Sequence, residues 1–221
     1  MKISADTIAV LKSFASINNG IIFKEGKKLE TVSPQKTIIA KVDVQDDFDR
    51  EFAIYDLGQF LNVLSLMDEP ELTFNDSYVT VSSKEERVNY RYGDSKLIIA
   101  PPKKEIEFPK VDVEVTITSA VLAKIQKAGS VLGVPEVAIV GENGKITARA
   151  LSTKETDGNN YQFDVGETDL NFKVIFKTEN LKVLADDYTV SIGKKGELAL
   201  SRWVSDRAYY LIAVEANSVI S

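Results

Sequence analysis

Five lysines, and no other base, fall on the four stretches of this chain that read as helices: Lys12, Lys124, Lys127, Lys177 and Lys182. The same stretches hold three acids, Asp6, Asp56 and Glu179, all at helix starts, where the macrodipole favours negative charge. The helices therefore carry a net +2 on a chain whose formal net charge is −6. A lysine ammonium is a mobile point charge and lacks the rigid fork that arginine offers. Spread over outward helix faces, such groups suit weak, salt-sensitive contact with phosphates that reads no sequence. For one helix alone, the plainer reading is a solvated polar face. Repetition over four helices favours a shared surface that meets a polyanion.

Catalysis has little to work with. The chain contains no His and no Cys, which removes the commonest general base, the commonest metal ligand, thiolate chemistry and disulfides. It reads as a non-enzyme with no cofactor and no metal. The acidic run Asp43, Asp46, Asp47, Asp49 and Glu51 lacks the glycine and the final glutamate of a calcium loop, and reads as a solvated loop. Gly20 and the Gly26-Lys27 pair hint at a phosphate loop, but the interval is one residue too long and Lys28 stands where Ser or Thr is needed. Tyr90, Tyr92, Trp203, Tyr209 and Tyr210 offer stacking surfaces for bases. They fall in alternating strand patterns, where packing is the usual role. Two rival functions stand beside polyanion contact of this loose kind: a single-stranded nucleic-acid binder that stacks bases, and a structural ring or shell component that binds no nucleic acid.

The elements that must position these residues follow from periodicity. Residues 4–18 form a helix, with Ser4 as N-cap, Gly20 beyond its end, and an apolar stripe of Ile8, Leu11, Phe14, Ala15 and Ile17. Asp56 caps a second helix over 56–66, with Leu57, Phe60, Leu61 and Leu64 inward. Ser119 caps a third over 119–132, with Leu122, Ile125 and Leu132 inward and Lys124 and Lys127 outward. A short fourth covers 177–184, with Leu181 and Leu184 inward and Lys182 outward. Strands are read at 21–24, 28–32, 37–44, 52–55, 71–74, 78–82, 87–92 and 97–100, then at 111–117, 137–140, 146–151, 161–165, 170–176, 188–192, 198–203 and 207–214.

Tight polar turns recur at Glu25-Gly26-Lys27, Asn75-Asp76-Ser77, Glu142-Asn143-Gly144 and Lys194-Lys195-Gly196. Their midpoints are 50 residues apart in the first half and 52 in the second, and the halves are offset by 117 and 119. A duplicated chain of this kind builds a symmetric object. Residues 101–109 carry three prolines and four charges, which disfavours helix or central strand. The reading is α+β, with an N-terminal domain over 1–100, a linker over 101–109 and a C-terminal domain over 110–221. Each domain is an antiparallel sheet with two helices on one face. At 221 residues the chain has room for two such domains. No apolar run approaches the roughly 20 residues of a membrane span, and the opening six residues lack the apolar core of a signal peptide. No membrane partner is expected.

Certain blocks carry a family resemblance. They are Met1-Lys2-Ile3-Ser4, Thr7, Leu11-Lys12, Phe14-Ala15, Ile17-Asn18 and Gly20-Ile21, then Ala53-Ile54-Tyr55-Asp56-Leu57, Phe60-Leu61 and Leu64-Ser65-Leu66, then Phe108-Pro109 and Ala213-Val214-Glu215-Ala216 with Ser218. In these the chain resembles the DNA polymerase sliding clamps of T-even-type bacteriophages, over its whole length but weakly at 70–97 and 157–167. The resemblance implies a homotrimer whose two clamp domains per chain close head to tail into a pseudo-sixfold ring around double-stranded DNA, independent of sequence. Helices line the hole and sheets form the outside. An ATP-dependent clamp loader opens the ring, which then tethers the replicative DNA polymerase and confers processivity in the cytoplasm of the infected bacterial host. Domain size is compatible: about 110 residues give a radius of gyration of ~13 Å, so six such domains leave a hole of roughly 34 Å.

Carried over residue by residue, the resemblance puts Lys12, Lys124, Lys127 and Lys182 toward DNA. It joins an edge strand holding Lys96, Leu97, Ile98 and Ile99 to Tyr161, Phe163 and Val165 of the next chain. Leu97, Ile98 and Ile99 also read as ordinary core. The partner-peptide pocket falls on Ile106, Phe108, Val219 and Ile220, and Phe108 reads equally as packing onto its own sheet.

Overall fold

The computed structural model describes residues 1–155, 157–196 and 198–220. The chain divides into two compact units, Met1–Lys104 and Glu105–Ser221. The division falls inside 101–109, a segment with no helix or strand.

Unit 1 runs α1 (Ala5–Ala15), β1 (Ile21–Phe23), β2 (Gly26–Val32), β3 (Ile38–Phe48), β4 (Phe52–Ile54), α2 (Leu57–Leu64), β5 (Glu71–Phe74), β6 (Tyr78–Ser83) and β7 (Glu86–Arg91), then a single 3-10 turn at Ser95–Leu97. Unit 2 runs β8 (Val111–Ile117), α3 (Ser119–Leu132), β9 (Glu136–Glu142), β10 (Lys145–Leu151), β11 (Tyr161–Glu167), β12 (Phe172–Lys177), a 3-10 turn at Thr178–Asn180, β13 (Tyr188–Lys195), β14 (Leu198–Val204), β15 (Ala208–Ala213) and β16 (Val219–Ile220). From α1 to β7 and from α3 to β15 the order of elements is the same, with the 3-10 turn of unit 2 standing where α2 stands in unit 1. The internal duplication read from turn spacing is thus a duplication of topology.

Within each unit the pairing among the described residues is antiparallel. In unit 1, β1 pairs with β4, β2 with β3, and β5, β6 and β7 form a three-stranded sheet. In unit 2, β8, β13, β14 and β15 are consecutive neighbours, and a five-stranded sheet has the order β11-β10-β9-β12-β16. The turns have the chemistry their residues demand. Asn143 and Gly144 both take positive φ, 51° and 80°, at the β9–β10 hairpin.

Helix starts are fixed by side chains. Ser4 Oγ accepts from the Thr7 amide and donates to Asp46 Oδ2 at 2.8 Å. Asp56 Oδ1 accepts from the Gln59 amide at 2.8 Å. In α3 the cap is Thr118, one residue before the expected Ser119, and Gly133 ends the helix in the left-handed region. The buried face of α2 is the predicted set, Leu57, Phe60, Leu61 and Leu64. In α1 it centres on Thr7, Val10, Leu11 and Phe14, leaving Ile8 half-buried. In α3, Leu122 and Ile125 are buried and Leu132 is half-buried.

Three expectations are corrected. First, 177–184 is no helix beyond its 3-10 turn at Thr178–Asn180. The backbone groups a helix would use internally are taken from outside. Gln126 Nε2 donates to the Leu181 carbonyl at 2.6 Å, the Leu184 amide donates to Tyr210 Oη, and Tyr188 Oη donates to the Leu184 carbonyl. Gly129 of α3 faces this turn so closely that a Cβ there would lie 3.2 Å from Thr178 Cγ2. Second, the acidic run is a loop only at Asp49 and Glu51. β3 continues to Phe48, alternating buried Val42, Val44 and Phe48 with exposed Asp43, Gln45 and Asp47. Third, 97–100 is not a strand.

The core of unit 2 is aromatic. Trp203 meets Tyr188 at 5.8 Å and Phe176 at 5.7 Å between ring centres, both edge to face, and Tyr188 meets Tyr210 at 6.0 Å. Burial pushes the Tyr188 phenol well above its ordinary range. Ser201 satisfies the one polar atom of the indole: its Oγ accepts from Trp203 Nε1 at 3.0 Å and donates to the Ile212 carbonyl. Removing that hydroxyl orphans a buried N–H. Ser201→Ala should therefore cost about 1–3 kcal/mol, read as a lower urea midpoint by circular dichroism at unchanged slope. A shift within error of wild type would show that the indole N–H has another acceptor.

Candidate nucleic-acid interface and assembly edges

Lys12 is exposed on α1, opposite the face that packs on β3 and α2. Lys127 is exposed on α3, whose other face packs on β9 and β10. Neither makes an ion pair among the described residues. Lys182 is exposed between buried Leu181 and Val183 in extended chain. It lies beside α3 because Gln126 holds the preceding carbonyl. Lys124 is exposed but engaged. Its Nζ sits 4.1 Å from the centre of the Phe163 ring and 5.8 Å from that of Tyr161. Unit 2 thus gathers Lys124, Lys127 and Lys182 around α3, and Lys12 belongs to unit 1.

The base-stacking candidates are mostly committed elsewhere. Trp203 is 1% exposed and Tyr210 is fully buried. Tyr90 is half-buried, its ring 5.2 Å from Phe60 and its hydroxyl bonded to the Asp56 carbonyl and Gln59 Oε1. Burial raises the pKa of Tyr90, and Asp56 adds to the rise. Asp46, a member of the acidic run, is spent on the Ser4 amide and hydroxyl.

β7 and β11 are both end strands of their sheets. Among the described residues β11 has β10 as its one ladder partner, and β7 has β6. β11 alternates Tyr161, Phe163 and Val165 on the α3 side with Gln162 and Asp164 on the other, and the two rings lie 5.7 Å apart. β7 alternates half-buried Val88 and Tyr90 with exposed Arg87, Asn89 and Arg91. The expected edge at Lys96, Leu97, Ile98 and Ile99 is a capped turn with a tethered tail. Asp94 accepts from the Lys96 amide at 2.9 Å, Asn18 Nδ2 donates to the Ile99 carbonyl at 3.0 Å, and Ile98 packs against Gly20. Leu97 is 69% exposed and Ile99 44%. Sequence reading identified β7 as a strand and missed it as an edge, because the order of strands in a sheet leaves no mark on the strand itself.

The expected peptide-pocket residues split between two sheets of unit 2. Phe108 lies under the Arg202 guanidinium of β14, 4.7 Å from its ring centre, with exposed Ile106 just before it. Gly193 makes room for this segment, since a Cβ there would come 2.5 Å from the Lys110 carbonyl. Val219 and Ile220 instead form β16, paired with Lys173 and Phe172 of β12. The alternative for Phe108, packing onto its own sheet, is what the structure displays.

Comparison with known proteins matches both units. Residues 4–100 fit the family model for DNA polymerase processivity factors, and residues 114–216 fit that for the C-terminal part of the gp45 sliding clamp. The chain is 35% identical to the sliding clamp of Vibrio phage KVP40, over 98% of this chain and all of that one. It is 31% identical to the sliding clamp of Escherichia phage RB69, over 99% and 98%. Among solved structures, the proliferating cellular nuclear antigen of Entamoeba histolytica superposes with a TM-score of 0.68 at 16% identity, covering 96% of this chain and 95% of that one. The H. pylori beta clamp gives 0.68 at 10% identity, covering 97% of this chain and 65% of that one.

Proposed function

The chain belongs to the DNA polymerase processivity-factor family, the sliding clamps, and from that membership we propose that it encircles duplex DNA and tethers the replicative polymerase without catalysing a reaction. The observation that carries this reading is the agreement of two successive family matches with two units of like topology. Grip comes from closure of the ring, so the inner surface needs only loose attraction. Lys12, Lys127 and Lys182 supply it as mobile charges that contact phosphate and let the ring slide. Three copies close the ring, with an ATP-driven loader opening it in the cytoplasm of the infected host. The partner peptide docks beside Ile106 and Phe108, with Val219 and Ile220 of β16 as a second contact on the other sheet.

Closure runs through these two end strands: β11 of one copy pairs with β7 of the next. This replaces the edge expected at 96–99. Arg87 and Arg91 on β7 complement Asp164 and Glu167 on β11, and pairing satisfies backbone groups that are otherwise left to water.

Two outcomes are expected. The native mass is about 73 kDa, three times 24.4 kDa, and Lys12→Glu with Lys127→Glu keeps that mass while shortening the products of processive synthesis. It also flattens the salt dependence of residence on nicked circles by about two phosphate contacts. Wild-type retention on linear single strands equal to that on circles would instead favour a stacking binder. Arg87→Glu with Arg91→Glu should dissociate the trimer, and adding Asp164→Arg should restore part of it in sedimentation velocity. A double variant that stays trimeric would exclude β7 as the closing edge.

A further inference from the structure

Lys124 differs from Lys12 and Lys127 in that its ammonium lies over aromatic rings of its own unit. Phe163 and Tyr161 lie on the end strand β11, and their register neighbours on β10 are Ala148 and Ala150. These small side chains leave the ring faces bare on the α3 side, and the lysine covers them from one turn of helix above. A cation over an aromatic face is worth about 0.5–1 kcal/mol when exposed, and about 2 or more once water is excluded. A phosphate drawing the ammonium away would forfeit that contact. A protein surface closing over β11 would strengthen it.

The β7 edge offers a surface of matching chemistry. Along the β7 edge runs a cleft of about 370 Å³ lined by Tyr55, Asp56 and Gln59 and by the consecutive residues 89–93, Arg91 among them. The α2 side of β7, that of Val88 and Tyr90, carries the Asp56 carboxylate. The opposite side of β7 carries Arg87 and Arg91, and the opposite side of β11 carries Asp164, which is held by Lys145 Nζ at 2.7 Å. The two faces of the edge are therefore complementary in opposite senses. Base on the helix side of β11 meets acid on the helix side of β7, and acid on the outer side of β11 meets base on the outer side of β7.

On the ring reading above, we infer that Lys124 is a subunit-closing residue rather than a DNA contact. It holds the Tyr161–Phe163 pair in shape and enters the Asp56 cleft of a second copy. Such a two-sided charge pattern also fixes orientation, since a slip of one residue in strand register reverses every side chain.

The test is the dissociation of the trimer on dilution, read by native mass spectrometry, alongside residence time on nicked circular DNA. Lys124→Gln should raise the dissociation midpoint at least about five-fold, which is ~1 kcal/mol at 1.4 kcal/mol per decade. Lys124→Arg, whose guanidinium also stacks on rings, should stay within about two-fold. Asp56→Asn keeps a competent helix cap and removes the charge. It should weaken the trimer as Lys124→Gln does, and the double variant should be no weaker than either single one. Lys127→Gln should shorten residence on DNA with the midpoint unmoved. If Lys124→Gln behaves like Lys127→Gln, Lys124 is a DNA contact and the inference is overturned. A wild-type protein that is monomeric at every concentration would overturn the ring reading itself, a result distinct from either.

Discussion

A strand with a neighbour on one side only carries a row of amide and carbonyl groups along its free side, and those groups must find water or another chain. β7 and β11 are in that position. This requirement links the fold to the proposed function, because an end strand is a place where another chain can pair. The helices answer to a simpler rule. Their apolar sides are spent largely on the sheets, so what remains outward on α1, α2 and α3 is mostly lysine, amide, hydroxyl or small, with Val131 near the end of α3 the apolar exception. A clamp that holds its cargo by topology needs nothing stronger on that surface.

Much of the fold was legible because local rules and burial agree. The stripe of α2 is buried residue for residue, and Ser4 and Asp56 cap the helices their positions implied. Failures arose where distant side chains intervened. The segment after Thr178 has a helical spacing of leucines, but Gln126, Tyr188 and Tyr210 claim its backbone. None of them is a sequence neighbour. The run from Asp43 to Asp47 failed for a different reason. Its alternation of Val42, Val44 and Phe48 was present, and the density of acids masked it.

The candidate site divides in the same way. Exposure of Lys12, Lys124 and Lys127 follows from helical phase, which a sequence displays. What an exposed lysine touches does not. Lys124 meets Phe163 only because β11 follows β10 in the sheet beneath α3, 39 positions along the chain. The edge at 96–99 was misplaced for lack of the same information. Ile98 and Ile99 are apolar enough for a strand, yet Asn18 and Gly20 hold them against their own unit. Likeness to clamps of 10–16% identity, together with 29–35% identity to phage clamps, indicates that packing and topology persist where individual contacts have drifted.

The chain's single tryptophan sits in the aromatic core of unit 2, boxed by Tyr188 and Phe176 and bonded to Ser201. Its intrinsic fluorescence is therefore a reporter for one half of a duplicated molecule. Emission at the red edge of the ultraviolet will follow loosening of the second unit and stay blind to the first, so any mismatch between that signal and a whole-chain probe measures how independently the two halves melt.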